Sequence, residues 1–239
     1  MKELLEIKGL VGGYEKDVNI LQGIDMKVAP GEAVGIIGLN GSGKSTLGKA
    51  VMNLLPFRSG LIMFGGRDVS ERATHRLSRM GIALMQQGGV VFPTLSVWQN
   101  LSLARGSKTF ISHYEHLKQI IPLLNEPNKN LMRTMADKLS GGQRHELALA
   151  MTLSRNPKLV ILDEPSAGLS PKAVKSMYGM LEAIRKQFGV SIVLIEQNVH
   201  QAVNFCDRCL MIKMGIVAGE FVSKDVMEIE KLMFETERS

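Results

Sequence analysis

The chain is 239 residues long, 45% hydrophobic and 22% charged, with a net charge of +6, a size and balance that suit one large α/β domain, or two small ones, with a sizeable core. Its longest apolar runs, such as 190–195, fall far short of the roughly 20 residues of a membrane span, so no direct membrane insertion is expected. With 5% aromatic residues and no basic stretch interleaved with them, no nucleic-acid partner is expected either.

In chain order, Met1-Lys2-Glu3-Leu4-Leu5-Glu6 reads straight into a strand with no charged-then-apolar leader, which points to the cytosol. Residues 4–10 and about 20–28 carry strand-like apolar patterns. Tyr14 lies in the loop between them, where it either stacks on a nucleotide base or covers a sheet edge. Pro30-Gly31-Glu32 turns the chain into Ala33-Val34-Gly35-Ile36-Ile37, short and apolar enough for a buried strand. Next comes Gly38-Leu39-Asn40-Gly41-Ser42-Gly43-Lys44-Ser45, which fits G-x-x-x-x-G-K-[ST]. Residues 46–55 follow with Leu47, Val51, Leu54 and Leu55 at helical spacing. Strand, loop and helix in this order form a phosphate-binding loop. Its glycines let backbone N–H groups turn around a phosphate chain, and the helix N-terminus adds its positive end. Gly38, Asn40, Gly41, Ser42, Gly43, Lys44, Ser45 and Thr46 are the expected contacts to a nucleoside triphosphate. Lys44 reaches the β- and γ-phosphates, and the Ser45 hydroxyl faces Mg²⁺.

Residues 59–66 read as a strand with a turn behind it, and 72–79 as a short basic helix whose charges form a solvated face. A buried strand at 81–85 precedes Gln86-Gln87-Gly88-Gly89. From about 90 to 138 the pattern is helical and more polar, with turn signals at Pro93, Pro122 and Pro127, which suggests a helical insertion. Leu139-Ser140-Gly141-Gly142-Gln143 breaks that pattern, and 143–155 look helical, with Leu147, Met151 and Ser154 on one face. Residues 158–164 are an apolar strand ending in Asp163-Glu164, of the kind that suits a parallel sheet covered on both faces. An aspartate there can hold Mg²⁺ opposite Ser45, and Glu164 is placed to polarise an attacking water; about 120 residues beyond a phosphate loop, this pair is a strong signal. The best amphipathic helix spans 171–188, with Val174, Met177, Leu181, Ile184 and Phe188 on one stripe. A strand at 190–195 ends at Glu196-Gln197-Asn198; a helix, a strand pair near 208–222 and a charged helical tail complete the pattern. Cys206 and Cys209 form C-x-x-C without the further ligands a zinc site needs, and read as buried residues at a helix-to-strand junction. No N-K-x-D guanine-reading motif occurs, since Asn128-Lys129-Asn130-Leu131 lacks the Asp.

In order and spacing, the phosphate loop, Leu139-Ser140-Gly141-Gly142-Gln143 and the 159–164 strand resemble the ATP-binding subunits of ABC transporters, across essentially the whole chain. The resemblance implies a phosphate-loop NTPase (RecA-like) α/β core with an antiparallel β-subdomain, over about 1–87 and 156–239, and an inserted helical subdomain over about 88–155. It implies ATP and Mg²⁺ as cofactors, Tyr14 as the residue stacked on adenine, and Gln87 as a contact to Mg²⁺ and to the membrane subunit. It makes Ser140, Gly141, Gly142 and Gln143 the signature that meets ATP bound on a second subunit, and Ser166-Ala167-Gly168-Leu169-Ser170 the loop that links the two sites. A head-to-tail dimer, with itself or with a related ATPase, would then work on the cytoplasmic face of integral-membrane permease subunits. Glu164, Lys44 and Gln197 are the implied catalytic residues, with Ser45, Gln87 and Asp163 at the metal. Val91-Phe92-Pro93, Glu164-Pro165-Ser166-Ala167-Gly168-Leu169-Ser170-Pro171 and Glu196-Gln197-Asn198 look more narrowly like the ATPases of branched-chain amino acid importers and related urea or amide importers. Gln197 stands where most of the larger family has His, Met151-Thr152-Leu153 replaces a familiar Arg-Ala-Leu, and the subfamily's usual charges around Gly88-Gly89 are absent. The alternatives are a soluble ABC ATPase acting on ribosomes or DNA, which usually carries two cores or a long coiled-coil insertion, and a scaffold that does not turn over. The presence of Lys44, Ser45 and Glu164 argues against the second.

Overall fold

Alternating apolar residues open the chain as extended backbone. Leu5, Ile7 and Leu10 of β1 (Leu5–Gly13) and Leu21, Ile24, Met26 and Val28 of β2 (Leu21–Val28) are buried, with exposed residues among them. The computed structural model describes residues 3–104, 110–125, 129–222 and 226–234. The expected turn at Pro127, Asn128 of the rejected guanine motif and the end of the charged tail, 235–239, lie outside these. Cα packing divides the chain into two units, residues 1–78 with 191–239 and residues 79–190.

The first unit holds two groups of strands. β1 pairs antiparallel with β2 and with β4 (Phe57–Phe64), and β5 (Arg67–Asp68) extends that sheet beyond β4. The second group centres on β3 (Ala33–Ile37), whose five residues are all buried. β3 leads through the phosphate loop into α1 (Lys44–Val51), and α2 (Thr74–Met80) follows β5 with Leu77 as its buried residue. On either side of β3 run, in parallel, β8 (Ser191–Ile195) and β9 (Arg208–Lys213); α9 (Val199–Phe205) joins these two, and β10 (Ile216–Phe221) pairs antiparallel with β9. α10 (Val226–Phe234) closes the unit, burying Ile229 and Met233. The start of β3 is clamped: Ala33 N–H donates to Asp207 Oδ2 (2.8 Å), and Gly31 N–H to the Ser191 hydroxyl (2.8 Å).

α1 is shorter than its apolar pattern. The spacing predicts helix to Leu55, yet the helix ends at Val51, because Asn53 takes a left-handed conformation (φ 53°) and bonds its side-chain amide to Arg72 O. Leu54 is left 45% exposed while Leu55 is buried. Cys206 and Cys209 are buried thiols, not joined in a disulfide, where α9 gives way to β9, as the sequence indicates. A hydrogen bond from the Cys206 thiol holds Cys209 below its ordinary pKa, against burial and helped by the Gly35 backbone and the Arg208 charge. Among the described residues no group of three or more His, Cys, Asp or Glu is placed to hold a metal.

The second unit contains a parallel pair, β6 (Ile82–Met85) with β7 (Leu159–Asp163), in register from Ile82↔Leu159 to Met85↔Leu162. Between them in sequence lie α3 (Val97–Ala104), α4 (Phe110–Ile120), α5 (Pro122–Asn125), α6 (Lys129–Arg133), a 3-10 turn at Ala136–Lys138 and α7 (Gly141–Leu153). α7 packs on β6, α3 and α5, burying Leu147, Leu149 and Leu153. After β7 comes α8 (Pro171–Phe188), capped by Ser170 with proline in its first turn and ended by left-handed Gly189. Its stripe buries Met177, Leu181 and Ile184, while Val174 and Phe188 are half-buried.

Candidate functional site

In the first unit the phosphate loop is held by close backbone approach. A Cβ on Gly38 would lie 2.2 Å from Ile212 O, and Gly41 and Gly43 have φ of 78° and 107° that favour glycine. Gly43 is the N-cap of α1, without a side-chain hydrogen bond and with no acid in the first turn, so the helix's positive end faces the loop uncompensated. Ser42 Oγ is buried and has no partner among the described residues. Lys44 is 5% exposed and donates from Nζ to Gly38 O (2.8 Å) and Leu39 O (2.9 Å), so its ammonium is folded onto the loop. Ser45 is half-buried, Thr46 buried, and Asn40 exposed.

Tyr14 follows β1 and is 42% exposed, with Lys49 Nζ of α1 at 3.1 Å from its hydroxyl. It sits beside the helix that begins at the phosphate loop. Gln197 is exposed just beyond β8 and just before Asn198, which caps α9 by accepting from Gln201 N (3.1 Å). Because Ile36 is paired with Ile195 in the parallel β3–β8 ladder, the phosphate loop and Gln197 leave adjacent strands at the same end. Open α/β sheets bind ligands at these carboxyl ends. An amide there can orient water without titrating, so Gln197→Ala is expected to lower turnover clearly less than Glu164→Gln does, and Gln197→His to be tolerated. Steady-state ATPase rates at saturating ATP check this; Gln197→Ala as inactive as Glu164→Gln would make Gln197 a principal group.

In the second unit Asp163 ends β7 and is 5% exposed. Glu164 follows in a left-handed conformation (φ 46°), which costs a β-carbon residue on the order of 1–2 kcal/mol. Its carbonyl accepts from Ala167 N (3.1 Å), starting the turn through 166–170. Gln87 Nε2 donates to Glu164 Oε2, so these two predicted residues meet. The signature is a helix start. Ser140 Oγ accepts from Gln143 N (3.2 Å) and Gln143 Oε1 accepts from Ser140 N (3.0 Å), a reciprocal box that starts α7 at Gly141 rather than at Gln143. Nothing lies within 4 Å of a Cβ built on Gly141.

Two residues that the sequence did not single out shape this unit. Asn100 is fully buried on α3; its amide donates to Phe92 O, Leu95 O and Ser96 O and its oxygen accepts from Phe92 N, fixing the Val91-Phe92-Pro93 stretch. His145 packs its ring against Gly89 and bonds Nδ1 to Gly141 O (3.0 Å), while Nε2 is buried without a partner among the described residues. The sequence signal for Asn100 is a polar residue at a core position of α3; none marks His145.

These residues fit their expected ligands chemically. The unpartnered Ser42 hydroxyl, the uncapped start of α1 and the Lys44 ammonium are donors of the kind a polyphosphate takes. In the first unit Ser45 offers a hydroxyl, and in the second Asp163 and Gln87 offer carboxylate and amide oxygens; each is a hard donor of the kind Mg²⁺ takes.

A family model described as ABC transporter matches residues 21–167. The chain is 32% identical over 231 residues to a probable branched-chain amino acid transport ATP-binding protein, LivF, of Archaeoglobus fulgidus, covering 95% of this chain and 96% of that one. It is 29% identical over 227 residues to the lipopolysaccharide export system ATP-binding protein LptB of Escherichia coli, covering 95% and 93%. Its fold is similar to the crystal structure of a nucleotide-free ATP-binding cassette from an ABC transporter, with a TM-score of 0.84 at 21% identity over 99% of this chain and 98% of that one.

Proposed function

The chain belongs to the ABC transporter family as its ATP-hydrolysing subunit, and we propose that the transporter it powers imports branched-chain or related amino acids or amides. The observation that carries this reading is the likeness to LivF over nearly the full length of both chains. The three short stretches around Phe92, Glu164 and Glu196 agree with it.

In the mechanism we propose, Gly38, Asn40, Gly41, Ser42, Gly43 and Thr46 cradle the phosphates, and Lys44 exchanges its two carbonyl partners for β- and γ-phosphate oxygens. Ser45, Asp163 and Gln87 would hold Mg²⁺, which would supply positive charge to the phosphates. Glu164 takes the proton of the attacking water, held ready by the Gln87 amide, and Gln197 orients that water. Tyr14 stacks on the base. The remaining donors come from the Ser140-Gly141-Gly142-Gln143 signature of a second subunit, arranged head to tail. Gly141 supports this pairing: its φ is not in the left-handed region, and among the described residues no atom beyond its own helix backbone lies near a Cβ built there, so these residues give no reason for glycine. Close approach of an ATP bound elsewhere does.

Among the described residues no helix is long and apolar enough to cross a membrane. In the mechanism proposed, permease subunits provide the path, and this chain works on the cytoplasmic face through them. The likeness to LptB favours a second reading, a lipid-linked export system. Purifying the chain from its native membranes separates them. We expect permease subunits and an ATPase partner, with hydrolysis by the purified complex rising on addition of a branched-chain amino acid and its binding protein. Co-purification with a lipopolysaccharide-export permease, or with ribosomes, would overturn the importer assignment.

A further inference from the structure

The loop that carries Tyr14 is pinned at both ends. Ile20 N–H donates to Gly12 O (2.9 Å), and Glu15 and Val18 form an isolated bridge. A Cβ on Gly13 would lie 2.0 Å from Val18 O, so the loop folds directly over the end of β1. At its far end Ile20 reaches the phosphate loop, with its Cγ2 3.5 Å from a Cβ built on Gly43. The Tyr14 backbone is therefore set relative to α1, but its side chain is 42% exposed and would be free to sample rotamers unless something held it.

Lys49 holds it. This residue lies on α1, about one and a half turns beyond Lys44. Its Nζ is 3.1 Å from the Tyr14 hydroxyl and 5.3 Å from the ring centroid. The shorter distance puts the ammonium at the hydroxyl end of the ring, so it grips the edge through a charge-assisted hydrogen bond and does not sit over the ring centre. A cation stacked on that face would compete with a base; one at the edge does not.

We propose that Lys49 is a positioning residue for the nucleotide base, fixing the Tyr14 ring before ATP arrives. The inference rests on the reading of Tyr14 as the residue that stacks on the base. Its physical content is preorganisation: a ring already ordered loses less side-chain freedom when the base binds, so more of the stacking energy appears as affinity. Lys49 thus differs in role from Lys44. Lys44 acts on the phosphates, whereas Lys49 acts on the base through Tyr14.

The test is equilibrium binding of ATP and of inorganic tripolyphosphate, which has no base, to the full chain and to Lys49→Met, Lys49→Arg, Tyr14→Leu and the Tyr14→Leu/Lys49→Met double variant. We expect Lys49→Met to weaken ATP binding by about two- to ten-fold, the scale of one net hydrogen bond, and to leave tripolyphosphate binding unchanged. Lys49→Arg restores ATP binding, and in the Tyr14→Leu background Lys49→Met causes no further loss. Unchanged ATP binding by Lys49→Met, with weakened binding by Tyr14→Leu, would overturn the role of Lys49 and leave base stacking intact. Equal loss of ATP and tripolyphosphate would make Lys49 a phosphate-site cation instead, and Lys49→Arg as weak as Lys49→Met would also overturn the proposal. Tyr14→Leu with the parent's ATP affinity would remove the stacking role and this inference together.

Discussion

Lys44→Ala is expected to lower ATP hydrolysis by at least about 100-fold and to weaken ATP binding, while the chain stays folded. The lower bound is the usual effect of removing one fixed donor from the charge that develops in a transition state, and Lys44 is a full cation. The ammonium is 5% exposed and rests on the carbonyls of Gly38 and Leu39, so its charge is already inside the loop before substrate arrives. The loop keeps other restraints in its absence: Leu39 O also accepts from Ser42 N (3.2 Å), and Gly38 packs its backbone against Ile212 O. Lys44→Arg should recover little activity. A planar guanidinium is bulkier than the ammonium it replaces in this enclosed position, and it spreads its charge over a rigid fork. Phosphate release against ATP concentration, direct ATP binding and a thermal melt on each variant make the comparison. A folded Lys44→Ala chain that hydrolysed ATP at the parent rate would refute the phosphate-loop assignment.

The parts legible in the sequence are those whose chemistry is local. A phosphate loop declares itself because glycines, a lysine and a serine must occur at fixed spacing between a strand and a helix. All five residues of β3 and the four apolar residues that open β7 are buried, as their apolar runs imply. The strands β1, β2 and β4 and the helical run after β6 also follow from pattern, whereas the antiparallel arrangement of those strands is an expectation from the family resemblance. Helix ends were less legible. α1 stops early because Asn53 turns left-handed and bonds Arg72 O, a partner 19 residues away in sequence. The start of α7 was readable, since Ser140-x-x-Gln143 is a capping-box pattern, but the two glycines inside it lower helix propensity and mask the helix start. Contacts between distant side chains carry no such pattern. Lys49 beside Tyr14, Asn100 under the Phe92 loop and His145 against Gly89 exist only once the chain has folded.

Glu164→Gln is expected to reduce turnover by about 10²–10⁴-fold, the range for loss of a general base, while ATP still binds. The substitution isolates the proton transfer. Gln has the shape of Glu, and its amide oxygen can still accept the hydrogen bond from Gln87 Nε2. It must also adopt the left-handed backbone at 164, but Glu bears that same strain, so the difference between them is small. What is lost is the carboxylate that receives a proton from water. With hydrolysis blocked and binding intact, ATP should persist between two subunits, so a dimer accumulates with ATP and not with ADP. Light scattering with each nucleotide, in the presence of any ATPase that co-purifies, tests both halves of the expectation. Parent-like turnover by Glu164→Gln would remove Glu164 as the base, while a slow variant that stayed monomeric on ATP would count against the shared site and leave the base in place. In Gln87→Ala the carboxylate loses its amide donor but keeps its chemistry, so turnover should fall by less than in Glu164→Gln. That ordering distinguishes a residue that accepts the proton from one that holds the acceptor in place.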